Sequence, residues 1–322
     1  MRVAILGGYG PRQSVGAVFR AFRRAGHEVV HWPTLPDFDP AAAREPVDLL
    51  FTFKIGCDRL PRGWIAAQDI PARIFWSFDD PHWISREPEP WIAREHGVVL
   101  TSCIESIGTY AARGCPVAWF LPPAMDLEYY DDWKATRAID AAPDHLVSFI
   151  GTNLYPRAAF PHTFVDRGEM IDRLTDIFGR DFALYGYTPS IEQKAAYRSV
   201  VHWESSLPRA IEGTQMNLNT HVENTDRLYF NERFFQIAST RRAMFVDRVP
   251  GFADLFGEDS FAFYSSLEEL TDKLLHYRDR RAELAAMGQR GFDRIAGWTY
   301  DAFVAQVLRA AEGHSAAPCF LD

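Results

Sequence analysis

Excess basic charge, paired cysteines and long apolar runs are what this sequence has least of. Its 34 Lys and Arg stand against 43 Asp and Glu, a formal net charge of −9. A nucleic-acid binder draws affinity from a cationic surface that displaces counterions, so the acidic balance argues against one. A small phosphorylated ligand stays open, because it needs only one or two local cations. The four cysteines, Cys57, Cys103, Cys115 and Cys319, form no Cys-x-x-Cys pair and have no histidine at ligand spacing. That argues against a zinc site and leaves reduced thiols in a cytoplasmic protein as the expectation. No apolar run approaches the ~20 residues that cross a bilayer, so membrane contact is expected to be peripheral at most. Met1 to Gly8 is too short an apolar run for a signal peptide and reads as a first strand. Internal repeats and low-complexity segments are absent as well.

What is present is an ordinary globular composition, 47% hydrophobic and 24% charged over 322 residues. Such a length suits two domains of roughly 150 residues each. Arg2 to Leu6 reads as a buried strand, Gly7-Gly8-Tyr9-Gly10-Pro11 as a turn, Ser14 to Ala25 as a helix closed by Gly26, and Glu28 to Trp32 as a second strand. This opening is Rossmann-like. As a dinucleotide fingerprint it falls short, because the Gly-x-Gly-x-x-Gly spacing is incomplete and no acidic residue closes the second strand. Further strands are expected at Asp48 to Phe53, Arg73 to Phe78, Val98 to Thr101 and Val117 to Leu121, with a helix from Ser106 to Arg113. The strand ending at Phe78 runs into Asp79-Asp80-Pro81-His82-Trp83. Paired carboxylates beside His and Trp at a strand's end form a candidate acid–base cluster. The alternative is a helix start with an Asp cap ahead of Pro81.

Between Glu128 and Asp144 the pattern lapses into charged and small residues, the best linker in the chain. A second α/β run follows: strand Leu146 to Ile150, loop Gly151 to Arg157, helix Gly168 to Phe178, strand Phe182 to Tyr185 ending in Gly186-Tyr187-Thr188, and helix Ser206 to Glu212. Later come a turn at Pro250-Gly251, a strand at Phe261 to Tyr264, and a Ser266…Glu269 capping box that launches a helix through Arg278. Helices at Ala282 to Ile295 and Tyr300 to Glu312 complete it. Strands alternating with helices imply parallel sheets. The expected fold class is therefore α/β, two Rossmann-like parallel-sheet domains facing a cleft. Their expected bounds are 1–143 and 144–299, with 300–322 a helix and tail able to pack back on the first.

The stretch from Gln215 to Asp247 is the most informative. Met216 and Leu218 alternate with Gln215, Asn217 and Asn219, the signal of a short strand. A polar loop follows with His221, Glu223, Asn224, Asp226 and Arg227. Asn231 then caps a helix whose apolar face is Phe234, Ile237 and Ala238, and Ala243 to Val246 is the next strand, ending at Asp247. A polar loop between a strand's C-terminal end and a helix's N-terminus is where open α/β sheets bind ligands. The backbone N–H groups there suit an anion, and Arg233 in the first turn adds charge against the helix dipole. The alternative is a surface loop in which Arg233 pairs with Glu232 or Asp226.

The second half resembles the C-terminal domain of CgeB-type (spore-maturation) glycosyltransferases. The matching residues are Phe149-Ile150-Gly151-Thr152 with Tyr155 and Arg157, Tyr185-Gly186-Tyr187, Asn217-Leu218-Asn219, Asn231-x-Arg233-x-Phe235, Asp247-Arg248-Val249-Pro250-Gly251, Leu267-Glu268-Glu269-Leu270 and Trp298-Thr299-Tyr300. The first half is similar more loosely, through Phe75-Trp76-x-x-Asp79-Asp80-Pro81 and Leu121-Pro122-Pro123-Ala124-x-Asp126.

That resemblance implies a GT-B fold and transfer of a sugar, hexosyltransferase-like, from a nucleotide-diphosphate donor, UDP first among them. The donor would bind Gly151, Thr152, Tyr155, Arg157, Tyr185, Gly186, Tyr187, Asn217, Asn219, His221, Asn231, Arg233 and Gln236. The acceptor, be it glycan, protein, lipid-linked sugar or metabolite, would meet Gly8, Tyr9, Gly10, Asp80 and Trp83. Arg233 would stabilise the leaving diphosphate. Asp80, with Asp79 or His82 in its place, would be the base of an inverting reaction, whereas a retaining one needs none. The nucleotide sugar is then a co-substrate, with neither a resident cofactor nor a metal. Gln236 stands where the family carries Glu, and Leu228 where a related Glu-x7-Glu pattern has its first Glu. A glycosyltransferase-like binding protein without turnover is the first alternative, a Rossmann oxidoreductase the second.

Overall fold

The computed structural model describes residues 1–8, 14–33, 45–53, 60–78, 89–115, 117–126, 128, 143–151, 154, 165–186, 188–199, 206–222 and 224–313. The chain divides into two compact units. The first comprises Met1–Ala124, Asp226–Glu232 and Gly297–Asp322, and the second Met125–Thr225 and Arg233–Ala296.

The first unit is built on a parallel six-stranded sheet in the order β2-β1-β3-β4-β5-β6. Its strands are β1 (Arg2–Leu6), β2 (Glu28–Trp32), β3 (Leu49–Phe53), β4 (Ala72–Ser77), β5 (Val98–Thr101) and β6 (Ala118–Phe120). Alternate residues sort into two cores, as the period of a strand buried on both faces requires. Val3, Ile5, Phe51, Phe53, Ile74 and Trp76 face one core, with Val18 and Phe22 of helix α1 (Ser14–Arg24) and Phe303 and Val307 of the last helix. Ala4, Leu6, Leu50 and Phe75 face the other, with Trp91 and Ile92 of α2 (Glu89–Arg94) and Tyr110 of α3 (Ser106–Ala112). Two large buried polar side chains in this unit are tied off: the Trp76 indole N–H donates to the Leu121 carbonyl at 3.0 Å. The His96 ring lies 2.8 Å from both the Ile92 carbonyl and the Thr52 hydroxyl.

The second unit carries another parallel six-stranded sheet, ordered β12-β11-β10-β7-β8-β9. Its strands are β7 (His145–Ile150), β8 (Phe182–Tyr185), β9 (Tyr197–Ser199), β10 (Thr214–Asn219), β11 (Ala243–Asp247) and β12 (Ala262–Tyr264). Its helices are α4 (Arg167–Phe178), α5 (Pro189–Glu192), α6 (Leu207–Glu212), α7 (Glu232–Ser239), α8 (Phe252–Phe256), α9 (Leu267–Tyr277) and α10 (Arg281–Ile295), and α11 (Tyr300–Ala311) returns the chain to the first unit. On one face α4, α9 and α10 bury Met170, Leu174, Leu270 and Met287 against Phe149, Leu218 and Phe245. Elsewhere Phe234, Phe252, Phe256 and Phe261 meet at centroid separations of 5.1–5.8 Å, spacings at which aromatic pairs gain beyond their buried area. No helix among the described residues is long and apolar enough to cross a membrane.

The long periodic segments fall where the sequence places them, within a residue or two. The expected capping box forms, with Ser266 Oγ accepting from the Glu269 N–H, although the Glu269 carboxylate accepts from Ser265 rather than from the cap itself. Four short elements carried too little pattern to expect: α2, α5, α8 and β9, of which α8 is five residues set off by Gly251 and Gly257. The short strand expected from alternation at Gln215 to Asn219 forms as β10, and all six of its residues are buried, because the strand lies between β7 and β11 with helices over the sheet. The expected linker falls mostly on residues 129–142, outside the described residues.

Two stability tests follow from this packing. A Cβ on Gly288 would sit 2.1 Å from the Arg241 carbonyl oxygen, backbone that cannot rotate away, in a turn where Arg241 itself holds φ at 59°. Gly288→Ala should therefore cost about 2 kcal/mol in denaturant unfolding. Burial lowers the pKa of His96 from 6.5 to about 4, the Ile92 carbonyl partly opposing the shift. Between those values the unfolded chain binds a proton that the folded one refuses, so the His96 contribution is complete above pH 6.5 and is lost as pH falls toward 4. The loss amounts to about 3 kcal/mol. His96→Gln should flatten the pH dependence of stability across that window.

Candidate functional site

The second sheet reverses its direction of growth between β7 and β10, since the chain builds outward to β8 and β9 and then returns to the other side of β7. Ligands of doubly wound sheets lie at the carboxyl ends of the strands beside such a reversal. Here that rim consists of Gly151 after β7, Gly186 after β8, Asn219 to Asn224 after β10, Asp247 closing β11 and Tyr264 closing β12. The two glycines have separate packing reasons, since a Cβ on Gly151 would meet the Phe149 ring at 2.8 Å. A Cβ on Gly186 would lie 2.3 Å from the Gly151 carbonyl oxygen, and the Gly151 N–H donates to the Tyr185 carbonyl at 3.0 Å. The ends of β7 and β8 thus meet backbone to backbone.

Asp247 organises the β10 side. Its buried carboxylate accepts from the His221 backbone N–H at 2.7 Å and from Asn224 Nδ2 at 2.5 Å, and lies 2.6 Å from His221 Nδ1. His221 and Asn224 are 2% and 1% exposed, so the polar loop is buried at its start, held by a carboxylate from the next strand. Helix α8 supplies a wall: the Phe252 ring stands edge-on to His221 with centroids 5.6 Å apart. Tyr264 donates its hydroxyl to the Asn219 carbonyl at 3.2 Å. Burial first, and the charge of Asp247 second, raise the Tyr264 pKa well above 10, so it remains a neutral donor.

Arg167 closes the rim from the β7 side. It is the first residue of α4, just after the Asp166 cap, and its guanidinium donates to the Thr220 hydroxyl at 2.8 Å and carbonyl at 3.0 Å while lying 5.6 Å from the Phe149 ring centroid. A cation in a first helical turn opposes the dipole, and at a strand-to-helix rim it suits an anion.

Two asparagines on one face of β10 differ sharply. Asn217 is satisfied within the core, accepting from the Ser148 hydroxyl at 3.0 Å and donating to the Ile211 carbonyl at 3.1 Å. Asn219, two residues nearer the rim and 1% exposed, has no hydrogen-bond partner for either Oδ1 or Nδ2 among the described residues. An orphaned buried carboxamide costs about 1–3 kcal/mol per group left unmade, which a core position would not retain without cause.

The other expected site residues are distributed as follows. Tyr185 ends β8 half-buried, its phenol pKa raised mainly by burial. Arg233 stands in the first turn of α7 and Gln236 one turn later, both half-buried. Asn231 directly precedes α7 and lies with residues 226–232 in the first unit. That segment is fastened there: Tyr229 bridges Cys103, Phe230 donates to the Ser102 carbonyl at 2.9 Å, and the Glu232 carboxylate accepts from Ser14, whose oxygen in turn accepts from Tyr300. Leu228, at the position of the missing Glu, is 1% exposed with φ at 51°. The nearby Cys103 thiol is pushed up to about 12 by burial and stays protonated. In the first unit no described residue lies within 4 Å of where a Cβ on Gly8 would stand. Tyr9, Gly10, Asp79, Asp80, His82, Trp83, Thr152, Tyr155, Arg157, Tyr187 and Glu223 lie outside the described residues.

Sequence reasoning missed Asp247, Asn224, Thr220 and Arg167 as site residues. Asp247 was visible as a carboxylate ending an apolar strand, and Arg167 by the same first-turn argument applied to Arg233. Asp247→Ala should lower stability by about 3 kcal/mol in denaturant unfolding, because it strands buried donors, with Asp247→Asn falling between.

Residues 167–309 match the family model described as glycosyl transferase-like, a segment that runs from Arg167 into α11. No curated relative matches the chain in sequence. Among solved structures, similarity extends over nearly the whole chain at low identity. An alpha-glucosyltransferase in complex with UDP and a 13-mer DNA is 10% identical with a TM-score of 0.69, covering 97% of this chain and 99% of that one. A UDP-forming alpha,alpha-trehalose-phosphate synthase from Burkholderia vietnamiensis is 10% identical with a TM-score of 0.65, over 97% and 100%. Sucrose-phosphate synthase from Thermosynechococcus elongatus is 10% identical with a TM-score of 0.64, over 97% and 98%. The fold is the one these GT-B proteins share.

Proposed function

We propose that this protein is a glycosyltransferase that moves a sugar from a nucleotide-diphosphate donor, UDP-linked, to an acceptor. One observation carries the reading: the segment matching the glycosyl transferase-like model, 167–309, is the segment that builds most of the rim, from Arg167 through Thr220, His221 and Asn224 to Asp247. The second unit takes the donor. Arg167 and Arg233, each in a first helical turn, supply the positive charge that a leaving diphosphate requires. Gly151 and Gly186 let backbone approach it closely. The nucleotide sugar enters as a co-substrate, and membership of the CgeB-type branch is the finer assignment we favour.

The acceptor belongs to the first unit, where Asp79, Asp80 and His82 are the candidates for a base if the anomeric centre inverts. Acidic net charge does not remove nucleic acid from the possible acceptors, since one similar glucosyltransferase is in complex with DNA. A binding protein without turnover is the competing reading, and Gln236 with the buried Leu228 favours it, because neither position offers a carboxylate.

A thermal-shift screen against UDP, GDP, dTDP, ADP and NAD tests the donor reading. UDP at 100 times its Kd should add about 2.7 kcal/mol of stability, and release of UDP from a UDP-sugar separates turnover from binding alone. A shift with NAD and with none of the diphosphates would count against a transferase. Arg167→Ala and Arg233→Ala should each weaken UDP by about 1.5–3 kcal/mol while leaving uridine nearly unaffected. Equal losses for both ligands would remove that arginine from the phosphate site.

A further inference from the structure

We infer that Asn219 reads a pair of sugar hydroxyls on the donor, an assignment that rests on the glycosyltransferase reading and gives one buried residue a specificity role within it. Asn217, on the same strand and face, shows how this core satisfies a carboxamide, through Ser148 and the Ile211 carbonyl. Nothing among the described residues does so for Asn219, although it is 1% exposed. Its backbone is fixed: the residue is in register with Val246 of β11, and its carbonyl accepts from Tyr264. The carboxamide is therefore presented from a rigid point at the reversal of the sheet.

The chemistry of the orphan selects the ligand group. Phosphate oxygens only accept, so a diphosphate would satisfy Nδ2 and leave Oδ1 against another acceptor. Two adjacent hydroxyls satisfy both atoms, one donating to Oδ1 and the other accepting from Nδ2. Positive charge for the phosphates is already supplied beside it by Arg167, which is anchored on Thr220. The hydroxyl pair belongs either to the ribose or to the transferred sugar.

Asn219→Leu and Asn219→Ala separate this role from a structural one. Both remove the orphaned atoms, so the ligand-free unfolding midpoint should not fall in at least one of them. Affinity for UDP-glucose, measured by calorimetry, should drop about 10-fold or more in both. UDP and 2′-deoxy-UDP locate the pair. A loss for UDP that shrinks for 2′-deoxy-UDP assigns the ribose, and a loss confined to UDP-glucose assigns the transferred sugar. Either supports the inference. Wild-type affinity in both variants overturns it, as does an equal loss for all three ligands, which would place Asn219 on the base or the phosphates. Wild-type protein that binds none of the three overturns the glycosyltransferase reading itself, and this assignment with it.

Discussion

A single buried carboxylate governs the candidate site. Asp247 ends β11, and the loop that leaves β10 is wrapped onto it through the His221 backbone, the His221 ring and the Asn224 carboxamide. A buried charge is tolerable only when such partners surround it, and losing them is expensive. The arrangement converts a polar loop into fixed geometry. His221 is held to one orientation, Thr220 is set where Arg167 can reach it, and Asn219 is left at the strand's end with Tyr264 on its carbonyl.

That rigidity depends in turn on how the sheet is covered. β10 lies between β7 and β11, so its polar side chains are buried and need partners from the protein or from a ligand. Asn217 is accounted for by the core, whereas Asn219 is not. Around them the Phe234, Phe252, Phe256 and Phe261 cluster fixes α7 against α8, which sets the Arg233 turn and the ring that flanks His221. Packing and site chemistry are parts of the same construction.

Much of this was legible in the sequence. Apolar runs of strand length, glycines after them and helical periodicity placed the long elements and both parallel sheets, because those signals reflect local burial. The Gln215–Asp247 stretch was legible as a short strand followed by a polar loop, but not the depth at which the two are buried. Alternation marks one buried face, and only the strand order shows that β10 has two. Asp247 and Arg167 went unassigned for a related reason: their partners, His221 and Thr220, lie 26 and 53 positions away, and no local pattern encodes such pairs. Position in the first helical turn pointed Arg233 toward an anion, and the family resemblance added the expectation that the anion is a nucleotide diphosphate and that Gly151 and Gly186 line its pocket. Gly186 now has a physical reason of its own, the approach of the Gly151 carbonyl.

The central claim is that the donor nucleotide is held at the β7–β10 reversal of the second sheet. Hydrogen–deuterium exchange with and without saturating UDP tests it most directly, because amides next to the ligand slow their exchange while remote ones do not. The account predicts that protection concentrates on peptides spanning 148–151, 167–170 and 217–224. Protection at Gly7, Gly8 and the end of β3 in the first unit, with none at the second sheet's rim, would contradict it.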